Sequence, residues 1–285
     1  KFCRLRSNPT PGGRVHRSHM SLDRNFRRPF AHRGLHGAQW DTVENTAGAF
    51  QLAVDLEIGI ECDLQASVDG SPVVYHDFTL DRLTEATGRI DAHNVKQLQA
   101  IPMRGTSDRI LSFEQLLEMV AGVVPIIAEV KADWRKPLPT KFLEHIATLA
   151  QAYDGPLALM SFHVEAVAAL SSLAPNVSRG LVSRRFDETE MISGAIDAAT
   201  RDSLSHLVER QRVGADFVAY FVRDLPTSAT RYIREVETKP VFAWTVKTET
   251  DLALAADHAD IAIFEDLPPV RVAKAFIEAG RRSQR

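Results

Sequence analysis

The sequence predicts an α/β protein, a distorted (β/α)8 TIM barrel with a small insertion after its second barrel strand. Three observations carry that prediction. Short β-rich runs alternate with longer stretches in which apolar residues recur at three- and four-residue spacings. Several runs, PIIA and VFAW among them, are nearly continuously apolar, as suits parallel strands covered on both faces. Of nine such runs, one has no room for the crossover that a parallel strand requires, and eight are left for a barrel. An open doubly wound sheet would give the same alternation, but no glycine-rich phosphate loop follows the first run.

Residues 1–20, KFCRLRSNPTPGGRVHRSHM, show no periodicity and read as a tail. Either they are an expression scar, with Ser18-His19-Met20 as a cloning junction before a native Met20, or they are a native extension. The barrel domain is then expected over residues 21–280. Its first strand is Phe30 to His32, followed by a helix over Glu44 to Glu57 and the strand IGIECDLQ, Ile58 to Gln65. VVYHD, Val73 to Asp77, comes straight after DLQASVDGSP, so it returns through Asp69-Gly70 as a hairpin arm or an irregular excursion. The inserted segment, 66–109, contains Gly88 and a short helical piece near Val95 to Leu98, and either walls the pocket or decorates the surface. The remaining strands are VVPIIAEVK, LALMSF, SRGLVS, ADFVAYF, PVFAWTV and ADIAIFE. Helices are predicted at Ser112 to Ala121, Pro139 to Ala152, His163 to Leu173, Asp202 to Val213, Thr227 to Val236 and Glu249 to His258. Ser112 with Gln115 three residues on forms a capping box, and Thr248 marks another helix start.

Bulk properties exclude several classes. With 25% charged residues and a formal net charge of -3, the chain has no global field for capturing nucleic acid, and its arginines are not interleaved with aromatic platforms. No apolar run approaches the roughly 20 residues that cross a bilayer, so no transmembrane anchor is expected. The two cysteines, Cys3 in the tail and Cys62 in a strand, argue against a disulfide scaffold and for a reducing, cytoplasmic setting.

Polar chemistry falls just after the apolar runs, where a barrel places its active site: AHRG, ECD, AEVK and SF, with WTVK and FED further on. Glu61 and Asp63 are two residues apart, so a strand directs both to one face, and Glu129 and Lys131 repeat that spacing on the next barrel strand. One such pair alone would read as a salt bridge at the barrel mouth. Three carboxylates near one point repel unless a cation balances them. A hard divalent ion, Mg2+ or Ca2+, takes oxygen ligands, whereas zinc more often recruits thiolates or several imidazoles. Glu61, Asp63 and Glu129 are therefore the candidate ligands, with Lys131 as a fixed positive charge beside them. His32 follows the first strand and His76 follows VVYHD's apolar part; together they supply a proton acceptor and a proton donor near pH 6.5. Arg33 adds a planar fork suited to phosphate oxygens. Two histidines, an arginine, a lysine and a divalent ion describe phosphoryl chemistry better than acyl or hydride transfer.

The residues AHRG (Ala31 to Gly34), ENTAGAF (Glu44 to Phe50), ECDLQ (Glu61 to Gln65), DGSPVVYHD (Asp69 to Asp77), LDRLT (Leu80 to Thr84), EVK (Glu129 to Lys131) and WTV (Trp244 to Val246) together resemble the glycerophosphodiester phosphodiesterase family. The resemblance runs from Phe30 to Pro269. It implies metal-dependent hydrolysis of a small-molecule glycerophosphodiester, such as glycerophosphocholine, to glycerol 3-phosphate and an alcohol. By the same resemblance His32 and His76 are the catalytic pair, Arg33 and Lys131, the latter after the third barrel strand, bind the substrate phosphate, and Glu61, Asp63 and Glu129 hold one divalent cation, Mg2+ or Ca2+. Asn45 is implied near the first-strand histidine, orienting it or capping the helix that follows. Trp244 is either an apolar wall for glycerol or a choline-like group, or core. Two departures stand out: WTVK in place of the usual WTVN, and FEDLP where the closing strand commonly ends in an aspartate-proline pair. Lys247 then either favours a more anionic diester or is simply solvated. Two other readings remain at this point: a phospholipase C- or D-like activity on a membrane phospholipid, and a barrel kept only as a binding module.

Overall fold

The computed structural model describes residues 24–186 and 196–282, and along them nine strands alternate with nine helices except around the inserted segment, where two strands and then two helices come in succession. The predicted tail at 1–20 lies outside them. The strands are β1 (Phe30–Ala31), β2 (Gly59–Ala66), β3 (Pro72–Val74), β4 (Ile126–Val130), β5 (Leu157–Ser161), β6 (Ser178–Ser183), β7 (Phe217–Phe221), β8 (Val241–Val246) and β9 (Ile261–Phe264). The helices are α1 (Ala47–Asp55), α2 (Val95–Ala100), α3 (Phe113–Val120), α4 (Thr140–Ala152), α5 (Val164–Leu173), α6 (Ala198–Ser205), α7 (Ser228–Glu235), α8 (Glu249–His258) and α9 (Pro269–Arg282). β1 pairs in parallel with both β2 and β9, which closes an eight-stranded parallel barrel; β3 alone is antiparallel, against β2. The open-sheet alternative is thereby excluded, and the strand with no crossover is the one outside the barrel.

Strand alternation divides the core into layers. In β2, Ile60, Cys62 and Leu64 face outward into the apolar layer between barrel and helices, which leaves Glu61 and Asp63 directed inward. Cys62 packs there as a small buried hydrophobe and is a free thiol. In β4 the same pattern sends Ile126, Ala128 and Val130 outward. The barrel interior is filled by Phe30, Ile127, Phe217 and Phe242, and Phe26 stacks on Phe30 at 5.9 Å. Phe162 and Trp244 are partly buried against this interior cluster, so Trp244 is both core and a surface of the barrel's inner lining.

Several boundaries differ from expectation for local reasons. α1 begins at Ala47, since Thr46 is its N-cap and Asn45 is left-handed at φ 57. Asn45 is therefore not the helix cap. VVYHD is strand only through Val74. The helix expected over Asp202 to Val213 is split into α6 and a 3-10 turn at Val208–Arg210, because Leu207 adopts a left-handed φ of 55. α9 was not expected, although Val272, Ala275, Phe276 and Ala279 recur at helical spacing and pack on the barrel layer. The capping boxes at Ser112 and Thr248 are present.

The insertion has a small core of its own, built from Val73, Tyr75, Leu80, Ile90, Leu98, Met103 and Ile110. It is tied to the β4–α4 loop by Lys136 with Asp91 and by Arg89 with Asp133. This core lets it stand over the barrel mouth as a formed unit.

Candidate active site

The acidic cluster follows from strand register. Asp63 in β2 lies opposite Glu129 in β4, and Glu61 is two residues before Asp63 on the same face. The result is a set of carboxylates whose oxygens lie within 4.8 Å of one another, with Glu61 and Asp63 each 1% exposed and Glu129 8% exposed. Lys131 enters between two of them, its Nζ 2.8 Å from Asp63 Oδ1 and 2.6 Å from Glu129 Oε1. Burial and the adjacent Asp63 and Glu129 charges push Glu61 well above the ordinary carboxylate range. Burial alone would raise Asp63 too, but Lys131, His76, Arg33 and His32 outweigh it and hold Asp63 well below that range. Burial opposes the charge on Lys131 in the same way, and Asp63 and Glu129 reverse it, raising the ammonium's pKa.

The turn after β1 delivers the next groups. Arg33 and Gly34 are both left-handed, at φ 57 and 80, and Gly34 N donates to Ala31 O at 3.2 Å. The turn aims the Arg33 backbone N–H at Glu61 Oε2, 3.0 Å away. The Arg33 guanidinium meets Glu44 Oε1 at 2.8 Å and Asp63 Oδ2 at 3.2 Å. A Cβ at Gly34 would sit 2.9 Å from the carbonyl carbon and Cβ of Ala49. Gly34→Ala should therefore lower stability by about 2–4 kcal/mol, combining left-handed strain with overpacking. An unchanged urea midpoint would contradict this.

Asn45 does not orient His32. Its Nδ2 donates to Asp63 Oδ2 at 2.9 Å and its Oδ1 accepts from Asp63 N at 3.3 Å. It therefore fixes a carboxylate of the cluster. His32 is held by Glu265, which follows β9: Nδ1 and Oε2 are 2.8 Å apart. Burial lowers the His32 imidazole to about 4 despite that bond, so it is neutral near pH 7. Glu265 is held near 2, since its bonds to His32 and Lys247 outweigh its burial. An ionised carboxylate only accepts hydrogen bonds, so Nδ1 carries the His32 proton and Nε2 keeps its lone pair. His76 is held by Asp77, with Nδ1 and Oδ1 2.7 Å apart, and Gln65 Nε2 donates to the His76 carbonyl at 2.8 Å. Arg82, from the insertion, bonds both Asp77 and Glu44 and so ties the His76 and Arg33 sides together. The insertion thus walls the site. Both histidines are close enough to Asp63 for their charge to act on it.

The acidic set suits a hard divalent ion. Its donors are carboxylate oxygens alone, and Asp63 Oδ1 is buried with no hydrogen-bond geometry, though Lys131 pairs with it electrostatically. Burial and the neighbouring Asp63 and Glu129 charges also leave Glu61 hard to ionise in spite of Lys131 and Arg33, which a dication would correct.

The opposite side of the mouth is aromatic. Trp244 meets Phe162 edge-on at 5.3 Å and Phe221 at 5.4 Å, from the ends of β8, β5 and β7. The rim lysine Lys247 is not simply solvated: its Nζ lies 2.8 Å from Glu265 Oε1. Every predicted site residue except Trp244 thus falls in one linked cluster, with Trp244 on the facing wall. Glu44, Gln65, Asp77, Arg82 and Glu265 were not assigned roles from sequence. Glu44, Gln65, Asp77 and Arg82 sat inside blocks already singled out, and Glu265 ended the last strand, so position after a strand was the available signal for it.

The comparisons with known proteins agree on one family. A family model described as the glycerophosphoryl diester phosphodiesterase family matches residues 32–269. A curated Bacillus subtilis protein named glycerophosphodiester phosphodiesterase is 24% identical over 258 residues, 84% of this chain and 83% of its own length. The Bos taurus glycerophosphodiester phosphodiesterase 1 is 40% identical over 72 residues, but the match spans only 21% of that relative and 25% of this chain. Among solved structures, an Oleispira antarctica phosphodiesterase in complex with the product sn-glycerol-3-phosphate superposes with a TM-score of 0.68 at 20% identity, covering 88% of this chain and 96% of that one. A Silicibacter pomeroyi structure gives 0.70 at 18% identity, covering 89% and 94%. At these identities the structures establish the shared barrel, and the family match spans nearly all the described barrel. The chain belongs to the glycerophosphoryl diester phosphodiesterase family.

Proposed function

We propose that the protein hydrolyses soluble glycerophosphodiesters to glycerol 3-phosphate and an alcohol, with Mg2+ or Ca2+ held by Glu61, Asp63 and Glu129. The observation that carries this reading is the convergence of two carboxylate-backed imidazoles, His32 and His76, on the acidic cluster around Asp63. The ion, when bound, supplies positive charge that polarises the phosphoryl oxygens. Arg33 and Lys131 present N–H donors to the nonbridging oxygens as charge develops there.

His32 serves as general base. Its neutral ring and free Nε2 lone pair support that role, and Glu265 stabilises the imidazolium that forms on proton transfer. His76, backed by Asp77, returns a proton to the departing alkoxide. The new P–O bond forms to water, or to the neighbouring glycerol hydroxyl to give a cyclic phosphate that water then opens. Trapping of a cyclic product separates the two routes. The Trp244, Phe162 and Phe221 wall receives the carbon atoms of the diester.

The test is release of glycerol 3-phosphate from glycerophosphocholine or glycerophosphoethanolamine with either ion, run beside phospholipid liposomes. Release from no soluble diester, or turnover of liposomes alone, would overturn the reading. Protonation of His32 removes the base, so the acid limb of kcat/KM should fall as pH drops through about 4. A limb centred at the ordinary histidine value of about 6.5 would contradict the neutral-base assignment.

A further inference from the structure

Three neighbouring strands each end on one member of a hydrogen-bonded chain. β8, β9 and β1 are consecutive in the barrel, and the residues directly following them are Lys247, Glu265 and His32. Strand pairing fixes their spacing: Glu265 N donates to Val246 O at 3.0 Å, and His32 N donates to Phe264 O at 2.9 Å. The two oxygens of Glu265 are divided between the outer members, Oε1 to Lys247 Nζ at 2.8 Å and Oε2 to His32 Nδ1 at 2.8 Å. His36 also approaches this trio and with His32 and Glu265 forms a group of ligand-type atoms within 4.8 Å. Each carboxylate oxygen is engaged by one outer member, which joins Lys247, Glu265 and His32 in a single hydrogen-bonded chain.

We infer that Lys247 and Glu265 are positioning residues that hold His32 in the tautomer its base function requires; this rests on the hydrolytic reading above. Glu265 accepts from Nδ1–H, which turns the Nε2 lone pair toward substrate. Lys247 takes the other oxygen and prevents the carboxylate from rotating away. Lys247 is 44% exposed on its side chain, so its own electrostatic share is screened and its removal costs less than loss of Glu265, whose side chain is 15% exposed.

The chain of donors makes an unusual mutational prediction. In Glu265→Gln the amide has one acceptor and one donor end. Lys247, which can only donate, claims the amide oxygen and leaves the NH2 facing His32 Nδ1. That imposes the wrong tautomer. Removing the lysine as well frees the amide to turn, so its oxygen can again accept from Nδ1–H.

The experiment measures kcat and KM for glycerophosphodiester hydrolysis in the full chain, together with the imidazole nitrogen NMR signals of His32. Glu265→Gln should lose about 10²-fold in kcat with KM within about twofold and show the Nε2–H tautomer, since a wrong tautomer can cost a triad-type histidine up to about 10⁴-fold. Lys247→Met alone should lose about threefold. The Lys247→Met/Glu265→Gln double variant should recover at least about tenfold over Glu265→Gln and return the Nδ1–H signal. Equal activity of the double variant and Glu265→Gln, or a His32 tautomer indifferent to Glu265, overturns the relay. If the wild-type chain hydrolyses no diester, the hydrolytic reading fails, while the tautomer measurement still decides the relay.

Discussion

His32→Ala lowers kcat for diester hydrolysis by about 10²- to 10⁴-fold, the range of a positioned proton transfer, and His76→Ala does the same. The expectation comes from geometry and not from the histidines alone. Each imidazole is fixed through Nδ1 by a carboxylate, Glu265 for His32 and Asp77 for His76, so each has a defined nitrogen left for the reacting atoms. Their effects should be strongly non-additive if both act in one proton relay. The double variant should therefore fall little below either single one. Steady-state kinetics with unchanged far-ultraviolet dichroism checks that the loss is chemical. Near-normal turnover by both single variants would remove the acid-base assignment.

Exhaustive chelation should abolish turnover, with recovery on adding Mg2+ or Ca2+. Asp63→Asn should raise the half-saturating ion concentration by more than about 100-fold, since even losing a partner behind a metal ligand costs about 10- to 100-fold. Asp63 is the residue of choice because it joins three other groups of the site: Lys131, Arg33 and Asn45 all bond or pair with it. The ion should also raise the melting temperature of the wild type and not of Asp63→Asn, because binding to the folded state alone stabilises it. Full activity after metal removal, or an unchanged ion requirement in Asp63→Asn, would refute the ligand role.

Much of this was legible in the chain. The two-residue spacing of Glu61 with Asp63 and of Glu129 with Lys131 placed each pair on one face, and the structure brings both pairs to one point. Asn45 shows the opposite case. Its role as a cap or a histidine partner was reasonable from local position, yet a left-handed backbone at Asn45 turned its amide to Asp63, eighteen residues later. Lys247 likewise read as a rim charge, because its partner arrives on a different strand.

The sequence by itself pointed to a barrel, singled out the one strand with no room for a crossover, and put Glu61 with Asp63 and Glu129 with Lys131 on shared faces. These follow from periodicity and from connection length, which act over a few residues and can be read along the chain. Only the tertiary structure decided which carboxylate backs which histidine, that Arg82 of the insertion joins Glu44 to Asp77, and that Lys247 and Glu265 stand beside His32. Those contacts depend on strand register and barrel closure, which bring residues as far apart as 32 and 265 within hydrogen-bonding distance and leave no local trace in the sequence.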